Sequence, residues 1–593
     1  TPANYRPMKL SSFVLCLASA IGAFGQIQLD NQFGDWSAHP HVEAGIGSPF
    51  ITMSVTSNGD WLFLHLVTVE EVALDEDVLP NDLRILLDLD DDPETGVDYA
   101  NQGLGVDLLI NLADRQAIRY TNGSGIESFN EIGMRCAPTY SGTEFELAFD
   151  RELSQVTGPQ VRVQWYDNAS STGFPSGGFQ HTLNETVAPW IPMGFERPEG
   201  TLDRVAFWNM NGRMDEPAAQ AAMERILQAV SPDIIGFSEV SNVSASFVAN
   251  LLNTWIPIEG GGSWNVVKDD WDLMVAAKGE IINSYAYVTR QFPALVEGHS
   301  DWGVPLLFTS SHMKCCGGAS NEAQRQAEAD EFMAFLRNAI DGEGAVNIPL
   351  NTPIVYGGDL NMVGLDDPIY TLITGDIFNE SAHGPDFAPD WDGSSLTEWP
   401  ILQTDEPFDF TWQSGNINSE WMPGKLDYLI TSDASAELKG GFTVRTANMS
   451  PERLNELGLF AGDALAASDH FIVVGDLGLG DFIGYAPDSD EDGISDFEDN
   501  CVSVANIEQT DFNGDGVGDA CSDLDGDGLS DALEINVYNT DPLLSDTDGD
   551  GVSDGLELCN CSAVNQCPGD LTNDSVVTVA DLLLLLGLFG ANC

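Results

Sequence analysis

Apolar and polar positions along the chain change their rhythm twice. Up to about residue 200 the runs are short and alternate with period two, as in Ile51-Thr52-Met53-Ser54-Val55, Trp61-Leu62-Phe63-Leu64-His65-Leu66, Phe145-Glu146-Leu147-Ala148-Phe149 and Val161-Arg162-Val163-Gln164-Trp165. Gly, Asn, Asp and Pro break them at regular intervals, which predicts an antiparallel β-sandwich over residues 27–200. His65 lies inside an apolar strand and is read as packed rather than ligating. From 201 to 478 continuous apolar runs replace the alternation: Val205-Ala206-Phe207-Trp208, Ile234-Ile235-Gly236-Phe237, Leu306-Leu307-Phe308-Thr309, Ile354-Val355-Tyr356, Leu426-Asp427-Tyr428-Leu429-Ile430 and the stretch 468–474. Between them, 216–230 and about 322–340 carry helical spacing, so this part is a layered α/β domain. Beyond 485 apolar rhythm gives way to Asp at every second position.

Polar residues recur at the ends of the central strands: Asn209, Glu239, His312, Asp359, Asn361, Asp427, Asp469 and His470. The sharpest case is Pro353-Ile354-Val355-Tyr356-Gly357-Gly358-Asp359-Leu360-Asn361. Residues two apart on an extended backbone point the same way, so Asp359 and Asn361 would emerge together at the end of a core strand. An ordinary Gly-Asp turn is the other reading of that stretch alone. Across the domain, Glu239, Asp359 and Asp469 supply hard oxygen ligands suited to Mg²⁺ or Mn²⁺. His470 is placed to act as a general base with Asp427 orienting it. Asn209 and Asn361 are neutral groups that can hold a water or a phosphate oxygen, and His312 can stabilise charge or protonate a leaving oxygen.

Length and charge narrow the classes. The 593 residues exceed what one core organises, and they carry 22 Lys+Arg against 94 Asp+Glu, a formal net charge of −72. Such a surface repels nucleic acid and anionic membrane at long range, although bound cations can reverse this locally. Lys9 followed by the apolar run 13–24 and by Ala23-Phe24-Gly25 predicts a secretory signal over 1–25, and no other stretch is long and apolar enough to span a membrane. Six of the ten cysteines lie at or beyond Cys501, as expected of disulfides formed outside the cell. Cys315 and Cys316 are adjacent, next to His312, and an adjacent-pair disulfide stiffening that loop is the preferred expectation.

In family order, the motifs Trp208-Asn209-Met210-Asn211-Gly212, Pro232-Asp233-Ile234-Ile235-Gly236-Phe237-Ser238-Glu239, Ser311-His312-Met313, Gly358-Asp359-Leu360-Asn361, Lys425-Leu426-Asp427-Tyr428 and Ser468-Asp469-His470 make residues 201–478 resemble the endonuclease/exonuclease/phosphatase (DNase I-like) superfamily. The resemblance implies a four-layer α/β sandwich with two packed sheets, and metal-dependent cleavage of phosphate esters. It implies Glu239 as the main metal ligand helped by Asn211 and Asp469, His470 as the base oriented by Asp427, Asp359 and Asn361 positioning water and phosphate, Asn209 bracing them and His312 binding the phosphate or assisting the leaving group. Many members carry an acidic residue where Asn211 stands. Trp264, Trp271, Trp302, Trp391 and Trp412 fall in predicted loops and are candidates to line a substrate groove.

The flanking parts carry looser resemblances. Leu29-Asp30-Asn31-Gln32-Phe33-Gly34-Asp35-Trp36 and Leu87-Asp88-Leu89-Asp90-Asp91-Asp92 resemble secreted carbohydrate-binding-like (DOMON-like) sandwiches, which would make 27–200 an accessory module with a carbohydrate or cell-surface ligand; Asp88, Asp90, Asp92 and Asp98 are its candidate Ca²⁺ ligands. Four D-x-D-x-D-G loops follow over 485–558. Their candidate Ca²⁺ ligands are Asp488, Asp490, Asp492 and Asp496; Asp511, Asn513, Asp515 and Asp519; Asp523, Asp525, Asp527, Asp531 and Glu534; and Asp546, Asp548, Asp550, Asp554 and Glu557. The stretch 499–521 resembles a thrombospondin type 3 repeat, which would pair Cys501 with Cys521. Residues 559–593 are similar to half of a dockerin-type repeat, a docking or surface-retention tag. Together these predict a secreted, divalent-metal-dependent phosphodiesterase, first as an extracellular nuclease acting on extracellular nucleic acid. The alternatives are a sphingomyelinase-like phospholipid phosphodiesterase or a phosphomonoesterase, and beyond them a non-catalytic calcium-dependent adhesion protein.

Overall fold

A computed structural model describes residues 27–480, apart from 73–81, 122, 157, 185–189 and 343–345, and parts of 500–555. The signal segment, the dockerin-like tail and the candidate ligands Asp488, Asp490, Asp492, Asp496, Asp511, Asn513, Asp515, Asp519, Asp548, Asp550 and Glu557 lie outside the described residues. The chain divides into two compact units, residues 1–482 and 483–593. Among the described residues no helix is long and apolar enough to cross a membrane.

The period-two runs form two antiparallel sheets of five and six strands. Phe50–Ser57, Trp61–Val72, Gly142–Asp150 and Gln160–Asp167 extend the four runs read from the sequence. Their inward residues, among them Met53, Leu64, Leu87, Phe145 and Trp165, make one apolar core. His65 is packed as expected, stacked on Trp36 at 5.1 Å with Nε2 2.8 Å from Glu144 Oε1. The acidic loop rearranges the expected set: Asp88 and Asp90 converge with Asp107, whereas Asp98 accepts from the Gly103 N–H and Asp92 from the Glu94 N–H.

The following part is a four-layer α/β sandwich. One six-stranded sheet runs in the order Asn265–Lys268, Met274–Ala277, Ile234–Ser238, Asp203–Asn209, Val473–Leu479, Ala436–Thr443. The other runs Ile281–Ser284, Gln291–Val296, Leu306–His312, Ile354–Asp359, Asp427–Thr431, Thr397–Glu398. They pack through Val205, Phe207, Phe308, Val355 and Leu429, with the Phe207 and Phe308 rings stacked at 4.8 Å. Helix Pro217–Val230 covers the first sheet with Ala219, Ala222, Met223, Ile226 and Leu227 at helical spacing, and helix Ala319–Ile340 covers the second with Phe332, Met333 and Leu336. The two glycines of the 353–361 stretch have a steric role. A Cβ on Gly357 would lie 2.4 Å from Tyr428 O and 2.5 Å from the Phe207 ring, and Gly358 stands at φ +122°.

The sandwich and the α/β layers share a core. Leu29, Trp36, Phe63 and Ala148 pack with Phe408, Phe410 and Phe471, and Leu29 and Tyr140 make single bridges to Phe408 and Gly364. In the second unit Cys501 and Cys521 are joined by a disulfide, and Asp523, Asp525 and Asp527 converge. Asp525 Oδ2 and Glu534 Oε2 are buried without a hydrogen-bond partner, and burial followed by the nearby Asp525 carboxylate pushes Glu534 up to about 7. Orphaned oxygens on a D-x-D-x-D-G frame fit a Ca²⁺ ion.

Candidate active site

Strand direction explains why residues so far apart in sequence meet. Asp203–Asn209 runs parallel to Ile234–Ser238, and Leu306–His312 parallel to Ile354–Asp359. Their carboxyl ends carry Asn209, Glu239, His312 and Asp359. Asp427–Thr431 and Val473–Leu479 run antiparallel to these strands, so their beginnings reach the same edge. Asp427 opens the first, and Asp469 and His470 lie just before the second, with Phe471 and Ile472 between. The strand expected over 468–474 therefore starts later, at Val473, because Asp469 and His470 belong to the turn that delivers them to the edge.

The side chains interlock around Asp359, whose carboxyl is buried. Asn209 Nδ2 donates to Asp359 Oδ2 at 2.8 Å and to Glu239 Oε1 at 3.1 Å. His470 Nδ1 lies 2.8 Å from Asp427 Oδ2, and its Nε2 is 3.8 Å from Asp359 Oδ2. A second pair mirrors it: His312 Nδ1 lies 2.8 Å from Asp272 Oδ2, with Nε2 3.7 Å from the same Asp359 oxygen. Each Nδ1 is thus engaged by an aspartate, and each Nε2 faces Asp359. Asn211 Nδ2 donates to Asp469 Oδ1 at 2.7 Å, and Trp412 Nε1 to Asp469 Oδ2 at 3.2 Å. Asn361 donates its backbone N–H to Asp359 Oδ1 and its Nδ2 to Met313 O. Asn211, Glu239 and Asn361 all hold positive φ, at +48°, +54° and +50°. Such strain is retained where the surroundings over-determine a position, as at functional sites.

Electrostatics follow from this crowding. Burial alone would lower the His470 pKa, but Asp427 and Asp359 outweigh it and push the ring up to about 10. His312 is shifted the same way: burial lowers it, and Asp272, Asp359 and Glu239 raise it further. Burial lifts Asp359 above the usual carboxylate range, partly offset by the two imidazoles.

All expected catalytic residues thus meet at one edge. The expected metal set is divided differently: Glu239 groups with His312 and Asp359, whose ligand atoms lie within 4.8 Å of one another, while Asn211 pairs with Asp469. Asp272 was not foreseen. It precedes the antiparallel strand Met274–Ala277, the same signal that marks Asp427. Thr411, whose hydroxyl donates to Asp427 Oδ2 at 2.8 Å, lies in a loop without a sequence signal. A cleft of about 410 Å³ opens over these groups, walled by Thr139, Cys316, Trp412 and Trp421. Of the five tryptophans proposed for a groove only Trp412 lines it. Trp264 and Trp302 are buried, Trp391 is tied to Thr352 O, and Trp271 is exposed beneath Arg290. Cys315 and Cys316 are free thiols with Sγ atoms 2.8 Å apart, not the expected disulfide. Neighbouring Cα atoms across a trans peptide are about 3.8 Å apart, shorter than the usual disulfide span.

Residues 206–470 match the model of the Endonuclease/Exonuclease/phosphatase family. This part of the chain belongs to that family. It is a phosphoric ester hydrolase domain of a metal-dependent family. Residues 478–509 match the thrombospondin type 3 repeat, and 523–545 and 546–558 the bacterial TSP3 repeat, modules that bind calcium and point to an extracellular protein. Among solved structures, an endonuclease/exonuclease/phosphatase family protein from Leptotrichia buccalis is 12% identical over 46% of this chain and 99% of its own, with a TM-score of 0.29. The human Nocturnin catalytic domain with bound sulfate is 14% identical, covering 49% and 96%, at 0.28. SmcL is 16% identical, covering 46% and 98%, at 0.27. No curated protein matches the chain. The family's divalent cation fits the donor set here: Glu239 and Asp359 offer hard oxygens beside His312, and the surrounding carboxylates leave the cleft negative.

Proposed function

We propose that the protein is a secreted phosphodiesterase that uses Mg²⁺ or Mn²⁺, and that its substrate is extracellular nucleic acid. One observation carries the reading: two His–Asp pairs bring their Nε2 atoms to a single buried carboxylate oxygen, at 3.7 and 3.8 Å. In-line displacement at phosphorus needs a base on the attacking side and a proton donor or charge stabiliser on the leaving side. His470, held by Asp427, takes the proton of the attacking water. His312, held by Asp272, stabilises the phosphoryl oxygen or protonates the leaving oxygen. Asp359 and Asn361 orient water and phosphate, and Asn209 fixes Asp359 against Glu239. Glu239, with Asp359 or with Asn211 and Asp469, would hold the cation, which supplies charge neutralisation when bound. With that charge in place, His470 would feel less of the carboxylate field that raises it and would present a neutral imidazole to the water.

A nucleic-acid substrate is supported by the open cleft and its two half-buried indoles, Trp412 and Trp421. The net charge of −72 argues against long-range capture of polyanions, so binding must be local. The test is hydrolysis of plasmid DNA, RNA, sphingomyelin and a phosphomonoester by the purified protein with Mg²⁺ or Mn²⁺. Turnover of DNA or RNA supports the reading. Turnover of lipid or monoester without nucleic acid replaces the substrate, and no turnover of any ester removes the function.

A further inference from the structure

Trp421 is the part of the cleft that phosphate chemistry leaves unused. It lies near the end of a loop whose base is fixed to the catalytic residues: Trp412 bridges both Gly424 and His470, and the Gln413 N–H donates to Asp469 O at 3.0 Å. The far side of the loop is held by the N-terminal sandwich. Ser128 Oγ donates to Ile417 O at 2.7 Å, and Asn130 Nδ2 donates to Ser419 O at 3.3 Å and to Trp421 O at 2.7 Å. Met422 is buried in the sandwich's own apolar core. The Arg115 guanidinium sits over the Trp421 ring, 3.6 Å from its centroid. The sandwich also reaches the cleft directly through Thr139, whose hydroxyl donates to Lys425 O at 3.2 Å.

We propose that Trp421 is an aromatic subsite for the nucleobase next to the scissile phosphate, and that the sandwich, through Arg115 and Asn130, positions it. The inference rests on the nuclease reading above. A half-buried indole beside a phosphate site offers a flat π-face, and every base has a matching one, so stacking binds without selecting sequence. Arg115 on the ring and Asn130 on its backbone hold the indole before substrate arrives, which lowers the ordering cost of binding. In a chain this acidic, stacking supplies affinity that phosphate contacts to surface cations cannot. The N-terminal sandwich is then part of the substrate site rather than a separate accessory. Arg115 and Asn130 are positioning residues, since they act through Trp421.

The experiment compares kcat and KM of the full chain, with Mg²⁺ or Mn²⁺, on a short single-stranded DNA and on the same strand built from abasic residues. Trp421→Leu keeps apolar bulk but removes the π-face, and Trp421→Phe keeps both. The wild type is expected to favour the base-bearing strand. Trp421→Leu lowers that preference about tenfold, mainly through KM, while Trp421→Phe retains most of it. Arg115→Ala and Asn130→Ala lower it less and also through KM, and Arg115→Lys recovers part of the loss. An unchanged preference in Trp421→Leu, or a wild type that cuts both strands equally well, overturns the subsite and leaves the nuclease reading standing. A wild type that cuts neither strand overturns the subsite, and one that also leaves plasmid DNA and RNA intact overturns both.

Discussion

At the scale of single residues the account rests on the two His–Asp pairs. Replacing His470 by Ala removes a general base and is expected to lower kcat by roughly 10²- to 10⁴-fold on any phosphodiester the protein accepts. The carboxylate field gives a second expectation. In metal-free protein the His470 ring, pushed up to about 10, stays protonated at pH 8. Asp427→Asn removes the largest of the raising influences, so its midpoint falls by about 1–3 pH units, read by NMR titration of the imidazole. A His470 midpoint near the ordinary value in both proteins would remove the coupling. Most of this site was legible in the sequence because strand-end residues such as Asn209, Glu239 and Asp359 announce themselves by following apolar runs. Asp272 and Thr411 were not read, since their significance depends on a partner 40 or 16 residues away rather than on neighbours in the chain.

At the scale of elements, the edge of the paired sheets gathers the site. Apolar runs gave the central strands and both principal helices. What they could not give was direction, and the direction of Val473–Leu479 decides that His470 lies before its strand. The close approach of the sheets was likewise hidden, because Gly357 reads as a turn residue and serves instead to admit the Phe207 ring. Gly357→Ala forces a Cβ against Tyr428 O and is expected to cost at least about 1–3 kcal/mol in urea unfolding. A variant as stable as the parent would show that the sheets can part there without loss. The buried Arg204–Asp476 pair, directly opposed on neighbouring strands of the first sheet with nitrogen and oxygen 2.7 Å apart, gives a parallel expectation. Asp476→Ala strands the guanidinium and costs about 3–5 kcal/mol.

At the scale of the whole molecule, the sequence suggested an accessory sandwich, whereas the structure shows its core continuous with the catalytic layers and its loops beside the cleft. Period-two patterning marks which residues face inward but not which surfaces meet, so Trp61 against Phe408 and Met422 within the sandwich core left no trace in it. The shared core makes stability respond to pH. Asp30 lies in it beside Glu146 and Asp409, and burial followed by Asp409 pushes it up to about 7. An unfolded chain releases that proton near pH 4, so the stabilisation is complete below that pH and is lost as pH rises through 7. Asp30→Asn is therefore expected to raise the melting temperature at pH 8 and to leave it nearly unchanged at pH 4. In the calcium repeats, chelation is expected to lower the unfolding transition of residues 483–593, since an ion at about 100 times its Kd contributes about 2.7 kcal/mol. The central claim is narrower, that His470 and its partners around Asp359 hydrolyse the phosphodiesters of nucleic acid. It is tested most directly by single-turnover hydrolysis of DNA or RNA with Mg²⁺ or Mn²⁺ by the parent protein and His470→Ala side by side. The account predicts cleavage by the parent and a rate at least about a hundredfold lower in the variant; equal rates, or no cleavage by either, would contradict it.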